Sequence, residues 1–142
     1  MISKETQKHR LHHVTFAIAP ERLDEATQFF TELGFTLQPG ELPDAGLQLR
    51  LDWERGIELI SPIAGSTASV AASVNEFLHS KGDGIYTVVL QVPDASAAES
   101  VAERYGSNTR YRFDIEGEGT YVSEVELSVL GLPLTFMSTN IP

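Results

Sequence analysis

Residues 11–18 read LHHVTFAI and residues 85–92 read IYTVVLQV. Each run is followed by a proline, a helical stretch and a glycine, and this recurrence decides the fold. In the first run His12, Val14, Phe16 and Ile18 share one strand face, and Leu11, His13, Thr15 and Ala17 share the other. The first face is bulkier and is expected to pack under a helix. The second is small and polar and is expected to line an open space. The two adjacent histidines leave a one-residue ambiguity: a slipped register would turn His12 inward in place of His13.

Working outward, Pro20 ends the first run, and residues 22–33 place Leu23, Ala26, Phe29, Phe30 and Leu33 on one helical stripe before Gly34. A turn-rich stretch with Pro39, Gly40, Pro43 and Gly46 leads to an alternating strand over 47–53. There Leu47, Leu49 and Leu51 oppose Gln48, Arg50 and Asp52. A tight connection and a strand over 56–61 complete a β-α-β-β-β order. Residues 63–83 form a connector whose helix, over 67–80, turns Val70, Val74, Phe77 and Leu78 inward. The order then repeats. Pro93 breaks the strand, Ser96 and Glu99 suggest a capping box for a helix over 96–105, and Ala98, Val101, Ala102 and Tyr105 face inward. Gly106 stops that helix, and strands follow at 109–115, 120–129 and 132–138.

The halves superpose with 11–18 on 85–92 and 57–61 (IELIS) on 134–138 (LTFMS). The unit is too long for a solenoid repeat and reads as a duplicated half-domain. The expected fold is α+β: two tandem β-α-β-β-β modules forming a curved, partly closed mixed sheet around a cleft. The expected layout is a flexible tail over 1–10 and one domain over 11–139. That domain divides into module one (11–62), a connector (63–83) and module two (84–139).

Composition narrows the chemistry. The 142 residues are 42% hydrophobic and 21% charged, enough for one real core. With no cysteine, disulfides, thiolate metal ligands and thiol nucleophiles are excluded. A net charge of −10 repels phosphate backbones and anionic membranes, so neither nucleic acid nor a membrane is an expected partner. No apolar run approaches a membrane span, and the first ten residues do not form a secretory signal; a cytoplasmic location is expected. No phosphate loop, dinucleotide fingerprint or nucleophile elbow is present.

The layout, the first-strand histidine in HHVTFAI, the helix LDEATQFFTELGF and the strand GIELISP together resemble the glyoxalase/bleomycin-resistance/extradiol-dioxygenase group, the vicinal oxygen chelate superfamily. The resemblance covers residues 11–139, with wording nearest to methylmalonyl-CoA-epimerase-like and dioxygenase-like members. It implies that side chains from the first and last strands of both modules bind one divalent cation. The first-strand ligand corresponds to His13 and the fourth-strand ligand to Glu58. The other two positions hold Thr87 and Thr135, and a neutral hydroxyl is a weak ligand for the cations concerned. The resemblance thus implies a small-molecule-binding protein of the bleomycin-resistance/glyoxalase type with a degraded metal site and no metal cofactor. The alternative is an isomerase, lyase or dioxygenase of the same superfamily, acting with Fe, Mn, Co, Ni or Zn or by acid–base chemistry alone. Strand parity adds Gln48, Arg50, Thr87, Gln91, Thr135 and Met137 as candidate cleft residues and Glu124 as a candidate base. A small molecule is the expected ligand. Exposed strand edges make a homodimer a reasonable assembly.

Overall fold

The structure is a computed structural model that describes residues 8–142. Residues 1–7, the greater part of the expected tail, lie outside the described residues. The first module comprises β1 (Arg10–Ala17), a short 3-10 turn (Pro20–Arg22), α1 (Leu23–Leu33), β2 (Gln38–Leu42), β3 (Leu47–Asp52) and β4 (Ile57–Pro62). The connector holds α2 (Ser69–Lys81). The second module comprises β5 (Gly84–Gln91), α3 (Ala95–Glu103), β6 (Asn108–Gly117), β7 (Thr120–Val129) and β8 (Leu132–Thr139). The chain divides into two compact units, His13–Tyr86 and Thr87–Pro142, the second including the stretch that ends at His12.

Within each module the strands run in the same order, β2-β3-β4-β1 and β6-β7-β8-β5. The first and last strands pair in parallel and the others antiparallel. The two parallel ladders repeat rung for rung. Val14, Thr15, Phe16 and Ala17 stand opposite Ile57, Glu58, Leu59 and Ile60. Val88, Val89, Leu90 and Gln91 stand opposite Leu134, Thr135, Phe136 and Met137. The superposition made on sequence therefore holds at the level of individual pairs, and the α+β fold of two β-α-β-β-β modules is confirmed.

Each module has its own core. In the first, Ile18, Leu23 and Leu59 are buried, with Phe16, Ala26, Phe30, Leu37 and Ile57 packed against them. In the second, Ala95, Ala102, Val125, Leu127, Val129 and Phe136 are buried, with Leu90, Val92, Ala98 and Leu134 around them. The helical stripes are narrower than expected. Phe29 is 58% exposed, and Leu33, Val101 and Tyr105 also face largely outward. A helix with one sheet beneath it covers only the side chains pointing straight down, and residues at the flanks of the stripe stay half in water.

Local signals explain the element ends. Gly34 closes α1 in the left-handed conformation, φ 110°, and its N–H reaches back to the carbonyls of Phe30 and Thr31. The expected Ser96–Glu99 capping box does not form. Asp94 caps α3 instead, its carboxylate accepting from the Ala97 N–H at 3.1 Å, because the helix starts at Ala95 and leaves Ser96 inside it. The β7–β8 turn is Leu130–Gly131, with both φ angles positive at 54° and 77°. Leu130 is also 72% exposed, so this turn holds an apolar side chain where Asn or Gly is favoured.

Three carboxylates lock the connections. Asp52, buried at the end of β3, accepts from the Thr36 N–H (2.9 Å), the Arg55 N–H (3.0 Å) and the Arg55 guanidinium (3.2 Å). Burial acts to raise its pKa, but these bonds outweigh it and hold the carboxyl below the usual range. Asp83 accepts from Arg22 Nε at 2.7 Å and from the Ala19 N–H at 3.1 Å, fastening the end of the connector to the start of α1. The Arg22 hydrogen bond keeps its pKa low. Glu99 on α3 accepts from Thr109 Oγ1 (2.6 Å) and Arg112 Nε (3.1 Å) on β6, and also pairs with Arg112 Nη2. The bond from Thr109 lowers its pKa most, against the opposing effect of burial.

The outermost strands are poorly suited to pairing. β2 is five residues long and carries Pro39 and Gly40. β6 has a register shift between Thr109 and Tyr111 and exposes Arg110, Arg112, Asp114 and Glu116. None of the helices among the described residues is long and apolar enough to cross a membrane.

Candidate active site

In the first module β1 and β4 run side by side, and Thr15 stands directly opposite Glu58. Alternation puts His13 on the same face, one pleat away. Thr15 Oγ1 donates to Glu58 Oε1 at 2.8 Å, and His13 Nε2 lies 3.4 Å from that same oxygen. His13 is 5% exposed and Thr15 is also buried, so the carboxylate is gripped from the protein side while its own side chain stays 15% exposed. His13, not His12, is the histidine that meets Glu58, although His12 is buried too.

The β3 register corrects an expectation. Leu47, Leu49 and Leu51 stand opposite Pro62, Ile60 and Glu58, while Gln48, Arg50 and Asp52 stand opposite Ser61, Leu59 and Ile57. Directly opposed residues share a face. The leucines therefore lie on the Glu58 face, and Gln48 and Arg50 lie on the face of Leu59 and Ile57, whose core packs against α1. Neither belongs with His13 and Glu58; Arg50 Nη1 donates to its neighbour's carbonyl, Leu49 O, at 2.9 Å. Gln48 and Arg50 were expected in the cleft, but their face is the one on which Phe16, Ile57 and Leu59 pack in the core.

In the second module parity gives the expected grouping. Thr135 and Met137 on β8 stand opposite Glu126 and Glu124 on β7, and Gln91 stands opposite Met137 from the other side. Thr87 and Thr135 are both buried, and their hydroxyls bond each other at 2.9 Å. Thus Thr87, Gln91, Glu124, Thr135 and Met137 share a face. Glu126 pairs with Arg110 Nε at 3.2 Å, and Gln91 Oε1 accepts from Arg10 Nε at 3.1 Å. Thr15 was readable from its parity with His13. Arg110 was not, because the β6 irregularity breaks the alternation that would have placed it.

Comparison with solved structures places this geometry. Methylmalonyl-CoA epimerase from Mycobacterium tuberculosis matches over 97% of this chain and 92% of its own, with a TM-score of 0.63 and 20% identity. A hypothetical protein from Bacillus halodurans matches over 94% and 96%, with a TM-score of 0.67 and 19% identity. A variant Streptomyces coelicolor methylmalonyl-CoA epimerase in complex with 2-nitronate-propionyl-CoA matches over 93% and 98%, with a TM-score of 0.65 and 16% identity. The chain has the glyoxalase-superfamily fold. The epimerases belong to the glyoxalase/bleomycin-resistance/extradiol-dioxygenase superfamily, and at these identities the likeness is one of fold. No family model matches the sequence, and no curated protein matches it.

The residues of this glyoxalase-fold chain do not fit the superfamily's divalent cation. His13 and Glu58 offer an imidazole and a carboxylate, but Thr87 and Thr135 offer neutral hydroxyls that are bonded to each other. Among the described residues no group of three or more His, Asp or Glu side chains could hold a metal ion.

Proposed function

We propose that the protein is an epimerase-like enzyme of the glyoxalase superfamily that moves a proton at the carbon next to the carbonyl of a small acyl thioester, with Glu58 as the base. The observation that carries this reading is the Glu58 carboxylate itself, anchored by the Thr15 hydroxyl and set against the His13 imidazole on a buried strand face. The fold is shared with methylmalonyl-CoA epimerases, one of them in complex with methylmalonyl-CoA, which supports the substrate class.

In the proposed reaction Glu58 takes the proton, and the electron pair of the broken C–H bond moves onto the carbonyl oxygen. His13, whose Nε2 lies 3.4 Å from Glu58 Oε1, holds the carboxylate in place beside the reacting carbon. Return of the proton from Glu58 to the face it left gives back substrate; if the planar intermediate turns over before the proton returns, the same step gives the epimer. Thr15 fixes which carboxylate oxygen is available. A second reading is a binding protein that takes up the same class of molecule without turnover; the threonine pair in place of two ligands favours it.

Incubation of methylmalonyl-CoA and propionyl-CoA in D2O, followed by proton NMR, separates the two. Protein-dependent loss of the α-hydrogen signal is expected, reduced roughly 10²–10⁴-fold by Glu58→Gln, the usual range for a general base. Thermal stabilisation by the thioesters without exchange would establish the binding protein instead.

A further inference from the structure

The inversion of the β3 face has a chemical consequence for what reaches Glu58. Leu51 is the cross-strand neighbour of Glu58, and Leu49 stands opposite Ile60, so the floor beside the carboxylate is hydrocarbon. Leu49 and Leu51 also line a cavity of about 570 Å³ with Gly40 and Trp53, and its polar lining is Thr36, Gln38 and the charged residues Asp52, Glu54 and Arg55. That volume is in the range of small-molecule sites. Its charges do not suit a second carboxylate: the Arg55 guanidinium is paired with Asp52 at 3.2 Å, and both Asp52 and Glu54 lie at the cavity.

We propose that this cavity seats a hydrocarbon substituent, aliphatic or aromatic, of an acyl thioester whose carbonyl end reaches Glu58. The inference rests on the reading of Glu58 as the base, and it narrows the substrate from a small dicarboxylic thioester to one with a larger apolar group. Leu49 and Leu51 supply contact area, Trp53 gives an aromatic wall, and Gly40 leaves the space open. A Cβ added at Gly40 would meet nothing within 4 Å, so a larger side chain there fills the cavity without disturbing the backbone.

The molecule carries its own reporter, since Trp53 is the single tryptophan of the 142 residues. Quenching of its fluorescence is measured on titration with 2-phenylpropionyl-CoA, 2-methylhexanoyl-CoA and methylmalonyl-CoA. The two apolar thioesters are expected to bind at least about tenfold more tightly than methylmalonyl-CoA, the scale of a methylene-sized difference in an apolar pocket. Gly40→Leu is expected to remove that preference while leaving the thermal midpoint unchanged. Equal or tighter binding of methylmalonyl-CoA overturns the proposal, as does a preference that survives Gly40→Leu or an absence of quenching by all three. Deuterium exchange on the same thioesters reports separately on Glu58. Binding preference without exchange removes the catalytic reading and keeps the cavity; exchange confined to methylmalonyl-CoA does the reverse.

Discussion

Replacing Glu99 by alanine tests how far one buried carboxylate holds the second module together. Glu99 is 7% exposed and joins α3 to β6 through Thr109 and Arg112. A hydrogen bond to a charged group contributes about 1.5–3 kcal/mol net, which is the scale for the Thr109 bond. The Arg112 side chain is 61% exposed, so solvent takes over much of its interaction and its share is about 0.5–1 kcal/mol. Glu99→Ala should therefore cost about 2–4 kcal/mol in urea unfolding. At roughly 2.1 cal/mol/K of unfolding entropy per residue, a loss of about 3 kcal/mol lowers Tm by about 10 °C. Arg112→Ala should cost less than about 1 kcal/mol, because the carboxylate keeps its Thr109 donor. Because the folded pKa of Glu99 lies below its ordinary value, its contribution is complete above the unfolded pKa of about 4.3 and is lost as pH falls through the folded value. The gap between the wild type and Glu99→Ala should stay constant from about pH 8 to 5 and close below about pH 4. A Glu99→Ala loss under about 0.5 kcal/mol, or an Arg112→Ala loss as large as that of Glu99→Ala, would refute this apportioning.

Two further substitutions probe local structure. Asp52→Ala strips the acceptor from the Thr36 and Arg55 N–H groups and should cost about 2–3 kcal/mol, with faster amide exchange at Thr36 as the site-specific readout. Leu130→Asn places a residue that tolerates positive φ in the β7–β8 turn and should gain about 1 kcal/mol in denaturant unfolding; an unchanged midpoint would mean that the turn is not strained.

The repeat was legible because it is written in strand parity and in helix-stopping glycines, both of which act within a few residues. His13 and Glu58 came together for the same reason: each is one pleat on a strand whose partner the repeat identifies. Parity alone does not say which side of a strand a helix covers, and for β3 the apolar row lies on the Glu58 side, away from the face on which Phe16, Ile57 and Leu59 pack in the core. The Glu99 clamp spans ten residues to Thr109 and thirteen to Arg112, across a helix end and a turn, and nothing local marks it. The register shift in β6 is likewise invisible in composition, yet it decides that Arg110 meets Glu126.

The outer strands bear on how the protein behaves when crowded. A short β2 interrupted by Pro39 offers an incoming strand few ladder hydrogen bonds. The irregular, alternately charged β6 would set arginines and acids against whatever docked there out of register. Runaway strand addition between molecules, the usual route from exposed sheet to fibril, is disfavoured at both of these strands for as long as their modules stay folded.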